Sequence, residues 1–169
     1  MPNPIQVRLQ TDYEKVKKLV AESGGTLRLI RTTDTPPTSY VIEYHCPGLV
    51  KDSFGGFIHR NQHQVVINLS ANYPIEKPSA GILTPIFNPH VFSSNAICLG
   101  GVWSPGETLD LLILRIGALI QLDPKVLDDK SPANPEANQW VRDNRSRLPI
   151  GNVTFKAPNQ GQKQRIEWS

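Results

Sequence analysis

Cys98 closes the run Asn95-Ala96-Ile97-Cys98-Leu99, with Phe87-Asn88-Pro89-His90 before it and Trp103-Ser104-Pro105 behind it. A thiolate is a strong nucleophile and also a good leaving group, so a cysteine in such a polar, loop-like context suits covalent acyl chemistry. The chain has four histidines, His45, His59, His63 and His90, and one of them acting as a general base beside Cys98 would give a cysteine hydrolase. No Lys or Arg lies between Phe87 and Glu107, so His90 is the one local residue able to place a cation near the thiol. Taken alone, a free cysteine is by default a buried structural thiol. The residues around Cys98 are what set it apart.

The elements that must position this segment follow from periodicity. Leu9, Tyr13, Val16, Leu19 and Val20 recur at three- and four-residue spacing and predict an amphipathic helix ending at Gly24 and Gly25. Thr26 to Thr32 and Tyr40 to Cys46 predict two strands joined across Asp34-Thr35-Pro36-Pro37. Alternation in the second strand puts Tyr40, Ile42, Tyr44 and Cys46 on one face, so Cys46 is expected to be a core thiol. Gln64 to Leu69 and a short run near Gly81 to Leu83 complete four strands in chain order. Thr108 to Leu122 is a mostly apolar helix able to cover them, and Asn134-Pro135-Glu136 supplies a cap, first-turn proline and acidic first turn for a helix through about Asp143. The expected fold is α+β: a four-stranded antiparallel meander, an N-terminal helix, a central helix over the sheet and a C-terminal helix. Between Phe87 and Gly106 no period is visible, and a loop of that length within a domain is more often functional than accidental.

A chain of 169 residues fits one domain. We assign it to residues 1–148 and read 149–169 as a polar, basic tail, mobile or docked only through Phe155 or Trp168. The longest apolar run, Leu109 to Leu122, is interrupted by Asp110, Arg115 and Gln121, so no membrane span is expected. The Met1-Pro2-Asn3-Pro4 start lacks the basic and apolar regions of a secretory signal, and a cytoplasmic protein is expected. Two cysteines are too few for a disulfide framework or a four-thiolate metal site, and a net charge of +3 without aromatic interleaving argues against nucleic-acid binding.

Tyr73-Pro74-Ile75-Glu76-Lys77-Pro78, the Phe87-Asn88-Pro89-His90 element eight residues before the cysteine, Ile97-Cys98-Leu99 and Trp103-Ser104-Pro105 together resemble the core of a ubiquitin-conjugating enzyme. Tyr40 to Pro47 and Phe54-Gly55-Gly56 are similar, more loosely, to the strand and turn upstream of that core. The family's His-Pro-Asn reads Asn88-Pro89-His90 here. The segment from Cys98 to Trp103 is also shorter than in typical members. These departures look like the bacterial relatives encoded beside an activating enzyme and a deconjugating protease in antiphage operons.

The resemblance implies that Cys98 accepts a ubiquitin-like protein as a thioester from an activating enzyme and transfers it to a target amine or thiol, with the ligase and target left open. ATP is then used by the partner, and no cofactor or metal is expected in this chain. His90, in the family's Asn place, is implied to donate to the oxyanion or to tie down the loop, both within reach of a neutral imidazole. Asn88 is expected to order the turn, Pro89 and Trp103 to shape the site, and Asp128 and Asp129 to flank it. Arg8, Lys15, Lys17 and Lys18 are implied to be the docking face for the activating enzyme, against the plainer reading of a solvated helix face. The alternatives are a non-catalytic binding scaffold of the same fold and, further off, the cysteine hydrolase.

Overall fold

Asn3 and Pro4 start the first helix by two separate means. The Asn3 side chain accepts a hydrogen bond from the Gln6 amide at 2.8 Å, and Pro4 occupies the first turn, where no intrahelical donor is needed. The resulting helix α1 (Pro4–Ala21) opens a computed structural model that describes residues 3–100, 103–128 and 130–155. Leu9, Val16 and Leu19 face the core, as the spacing predicts, with Tyr13 and Val20 half-buried beside them. The chain then leaves α1 through Gly24 and Gly25, both at positive φ (64° and 86°), a conformation open to glycine at little cost.

Strands β1 (Leu27–Thr33), β2 (Ser39–Tyr44), β5 (His63–Asn68) and β6 (Ser79–Ile82) form one antiparallel sheet in that order, the expected meander. Between β2 and β5 the chain builds something the periodicity did not show, a separate hairpin of β3 (Gly48–Lys51) and β4 (Phe57–Arg60). Its turn is closed by Asp52, whose carboxylate accepts from the amides of Phe54 (2.9 Å) and Gly56 (2.8 Å). Strands of four residues carry too few alternations to be read from sequence.

Helix α2 (Leu109–Ile120) crosses the sheet and buries Leu109, Leu112, Ile113, Ile116, Leu119 and Ile120 against Tyr40, Ile42, Tyr44, Val65 and Ile67. Each such side chain removed from water contributes about 1.5–3 kcal/mol, so this layer is the main source of cohesion. Helix α3 (Pro135–Asp143) starts on the Asn134 cap read from sequence, whose side chain accepts from the Ala137 amide at 3.1 Å.

The segment after α3 returns to α2. Gln121 donates to the Val153 carbonyl and accepts from the Val153 amide, both at 3.0 Å. Phe155 is buried edge-on against Tyr44, with ring centroids 5.6 Å apart. It fills the space left by the missing side chain of Gly117, where a Cβ would lie 2.3 Å from the ring. The described part of the expected tail is therefore held to the body through Phe155, while Trp168 lies outside the described residues. Among the described residues no helix is long and apolar enough to cross a membrane.

Candidate active site

The segment carrying Cys98 is clipped to the open edge of the main sheet. The Ile97 amide donates to the Ala80 carbonyl and the Ile82 amide to the Asn95 carbonyl, each at 2.9 Å. Asn95 turns the chain at φ 72°, a left-handed conformation that asparagine tolerates better than most residues. Val91 and Ile97 pair across the turn, and both side chains are buried together with Leu99. Alternation then turns Cys98 away from the core, where it is half-buried.

His90 completes this ribbon in an unusual way. The Cys98 amide donates to the His90 carbonyl at 2.7 Å, one rung of a regular pair. The reciprocal rung is made by a side chain: the His90 amide is diverted to Asn88 Oδ1 (2.9 Å), and imidazole Nδ1 lies 3.0 Å from the Cys98 carbonyl. The Asp128 amide, an obligatory donor, meets Nε2 at 3.0 Å. Nε2 must therefore be the acceptor and Nδ1–H the donor, which fixes the neutral Nδ1–H tautomer. At 5% exposure, the ring has both nitrogens committed to backbone groups.

Asn88, Pro89 and His90 each reach a different element. Asn88 Nδ2 donates to the Leu119 carbonyl at 2.8 Å at the end of α2, and the Pro89 carbonyl accepts from Ala133 (2.8 Å) and Asn134 (3.1 Å) at the start of α3. With His90 holding Asp128, three successive residues tie the cysteine loop to α2, to α3 and to the segment between them. Trp103 is half-buried against Tyr73, ring centroids 6.3 Å apart, and its Nε1 donates to the Pro74 carbonyl at 2.7 Å. Asp128 is exposed, and its carboxylate caps the Lys130 amide at 3.0 Å. Asp129 lies outside the described residues.

The four basic residues grouped on α1 are not one surface. Arg8 is drawn inward: its guanidinium donates to Asp12 Oδ2 (2.8 Å), the Tyr73 hydroxyl (3.1 Å), the Glu107 carbonyl (2.6 Å) and the Pro105 carbonyl. It pins α1 to the loop beyond the cysteine, with its side chain 20% exposed. Lys15, Lys17 and Lys18 remain exposed, Lys17 beside Glu14 and over the Tyr13 ring. Asp12, which the sequence reading missed, is fully buried and also accepts from the Tyr73 hydroxyl (2.5 Å) and the Leu109 amide (3.2 Å). The available signal was the Arg8–Asp12 spacing of one helical turn.

The two thiols differ in kind. Cys46 is 1% exposed, and burial pushes its thiol up to about 12, so it stays protonated and inert at neutral pH. The other histidines are engaged elsewhere: His45 against Glu43 at 2.6 Å, His63 donating to the Arg60 carbonyl at 2.8 Å, and His59 exposed on β4. A hydrolase would need an imidazole nitrogen free beside Cys98, and His90 offers none without breaking a bond to its own loop.

Residues 48–149 match the family model for ubiquitin-conjugating enzymes. The chain is 30% identical over 86 residues to ubiquitin-conjugating enzyme E2 2 of Debaryomyces hansenii, covering 49% of each chain. It is 26% identical over 108 residues to ubiquitin-conjugating enzyme E2 14 of Arabidopsis thaliana, covering 54% of this chain and 59% of the other. It thus spans about half the length of the relatives it matches. In three dimensions it superposes on a solved Trypanosoma cruzi chain assigned as a ubiquitin-conjugating enzyme, with a TM-score of 0.60 at 19% identity over 89% of this chain and 96% of that one, a likeness of fold. With the family model covering more than half its length, this chain belongs to the ubiquitin-conjugating enzyme family.

Proposed function

We propose that Cys98 carries a ubiquitin-like protein as a thioester, received from an activating enzyme and passed to a target amine or thiol. The observation that carries this reading is the contrast between the two thiols: Cys46 is sealed in the core, whereas Cys98 is half-buried on a ribbon whose backbone is held at every side. In loading, the Cys98 thiolate attacks the cargo's thioester carbonyl, a new carbon–sulfur bond forms, and the activating enzyme's sulfur leaves as thiolate. In discharge the same sulfur is the leaving group, and an acceptor amine loses its proton as the amide forms.

His90 acts in this scheme as a positioning residue. Its Nδ1–H supports the Cys98 carbonyl, so stabilising an oxyanion with that proton would require giving up the rung. Asp128, exposed and tied through its amide to the same imidazole, is suited to orient an incoming acceptor. Lys15, Lys17 and Lys18 remain the proposed docking residues for the activating enzyme. ATP is consumed by that enzyme, and this chain is proposed to need no cofactor.

The test is direct. Incubated with its activating enzyme, ATP and a ubiquitin-like protein, the wild type should form a conjugate that thiols cleave. Cys98→Ala should abolish it, and Cys46→Ala should leave it. A thiol-sensitive conjugate persisting on the Cys98→Ala protein would overturn the assignment.

A further inference from the structure

We propose that the β3–β4 hairpin and the adjoining face of α3 form a docking surface for an extended acidic segment of a partner protein, in which carboxylates alternate with apolar side chains. Phe54, Phe57 and Ile58 are 96%, 43% and 50% exposed within five consecutive positions. Exposed apolar residues on an edge strand are an aggregation hazard, and folds usually blunt such edges with charge, proline or a covering element. β4 has β3 on one side and no strand on the other among the described residues, and all four of its residues are exposed. Its outer edge is therefore open to strand addition.

The rings and charges around that edge specify what fits. Register pairs Lys51 with Phe57 and Leu49 with His59, and Leu49 is buried toward α3, so Phe57 shares that face. The Phe57 ring meets Phe87 at 5.3 Å and Trp140 of α3 at 5.7 Å. Cations sit on both neighbours: Lys51 lies 5.3 Å from the centre of Phe87, and the Arg147 guanidinium 5.8 Å from that of Trp140. Of the nearby carboxylates, Glu136 is paired with Lys51 and Asp52 is turned into the hairpin's own amides. Arg147 on the aromatic face and Arg60 at the end of β4 leave the surface positive as well as apolar. A second copy of this chain would bring the same cations to the contact and be repelled. An acidic, alternating segment would pair its backbone with β4, set its apolar side chains on the face that Phe57 shares with Trp140, and turn its carboxylates to the opposite face, where Arg60 lies.

The experiment uses the full chain, isotopically labelled, titrated with the synthetic peptide Asp-Phe-Glu-Ile-Asp-Val-Glu and with its counterpart bearing lysine at every acidic position. The acidic peptide should shift the amides of residues 51–60 and 136–147, lose affinity as salt rises, and bind about tenfold or more tighter than the lysine peptide. Arg60→Glu, a surface change that leaves the core untouched, and Phe57→Ser should each weaken it about tenfold, with the dispersion of the remaining amide resonances showing that the fold persists. Equal binding of both peptides, shifts confined to other faces, no binding at all, or self-association lost on Arg60→Glu would each overturn the proposal.

Discussion

At Cys98 and His90 the question is which atoms are free to react. The imidazole replaces a backbone donor in the pair with Cys98, and its other nitrogen holds Asp128. His90→Ala should leave the Cys98 carbonyl and the Asp128 amide without partners. Both groups are only part-buried, so water can replace the ring in part, and we expect a loss of up to about 1–3 kcal/mol, the cost of a fully buried unsatisfied group, in chemical denaturation. His90→Asn offers one amide donor and one carbonyl acceptor, the same pair of functions, and should retain most of that stability. Charging should persist in His90→Asn, and its rate of discharge onto free lysine should change, because an amide differs from imidazole in reach. Identical discharge rates in the wild type and His90→Asn would remove any chemical role for the ring. The sequence made part of this visible. The spacing from Phe87 to Cys98 singled out the thiol and its neighbours, and Asn88 was expected to order the turn. A histidine standing in for a peptide N–H was not visible, because the diversion of the His90 amide to Asn88 depends on the three-dimensional course of the loop.

At the scale of elements, α1 is joined to the segment after the cysteine by hydrogen bonds from Arg8 and to Asp12, a part-buried pair within the helix, and to the sheet by apolar packing. The Asn134-Pro135-Glu136 cap located α3, and apolar patterning located α1, α2 and the four strands of the main sheet. It assigned Arg8 to the solvent side, since helical spacing says where a Cα lies and not how far a long side chain reaches. The Arg8–Asp12 pair gives a sharp prediction. Removing the fully buried Asp12 deprives the Arg8 guanidinium, the Tyr73 hydroxyl and the Leu109 amide of an acceptor together, and breaking a buried pair costs up to about 3–5 kcal/mol. Asp12→Ala should therefore destabilise the protein by about that amount, measured by urea unfolding, and should also loosen residues 103–109, seen as faster amide exchange there. A loss below about 1 kcal/mol, the usual value of a surface pair, would show the network to be marginal. The return segment makes a comparable case. Gly117→Ala sets a methyl against the Phe155 ring, and overpacking of this kind costs about 1–3 kcal/mol. In the double variant with Phe155→Ala the glycine substitution should become nearly neutral, and a fully additive loss would mean that the ring does not occupy the space above Gly117.

For the whole molecule, pH is the variable that reads out two buried polar sites on the same sheet. His63 is fully buried at the start of β5, and burial holds its pKa below the ordinary histidine value, so the folded state prefers the neutral ring. A ring depressed in this way binds fewer protons in the folded than in the unfolded chain. Its contribution to stability is complete above the unfolded value near 6.5 and falls away as pH drops below it. Glu43 has its pKa lowered by the hydrogen bond from Gln64, opposed by burial and aided by His45. Its contribution is present above the ordinary carboxylate value and disappears only in more acidic solution. The two groups thus predict a loss of stability in two stages, His63 first. Denaturant midpoints compared at roughly pH 7.5 and 5.5, either side of the histidine value, should show the first stage. In His63→Gln, which keeps a side-chain donor for the Arg60 carbonyl but carries no titrating group, that stage should vanish while the acidic one remains. An unchanged decline in the variant would place the proton uptake elsewhere and leave β5 without a part in the pH response.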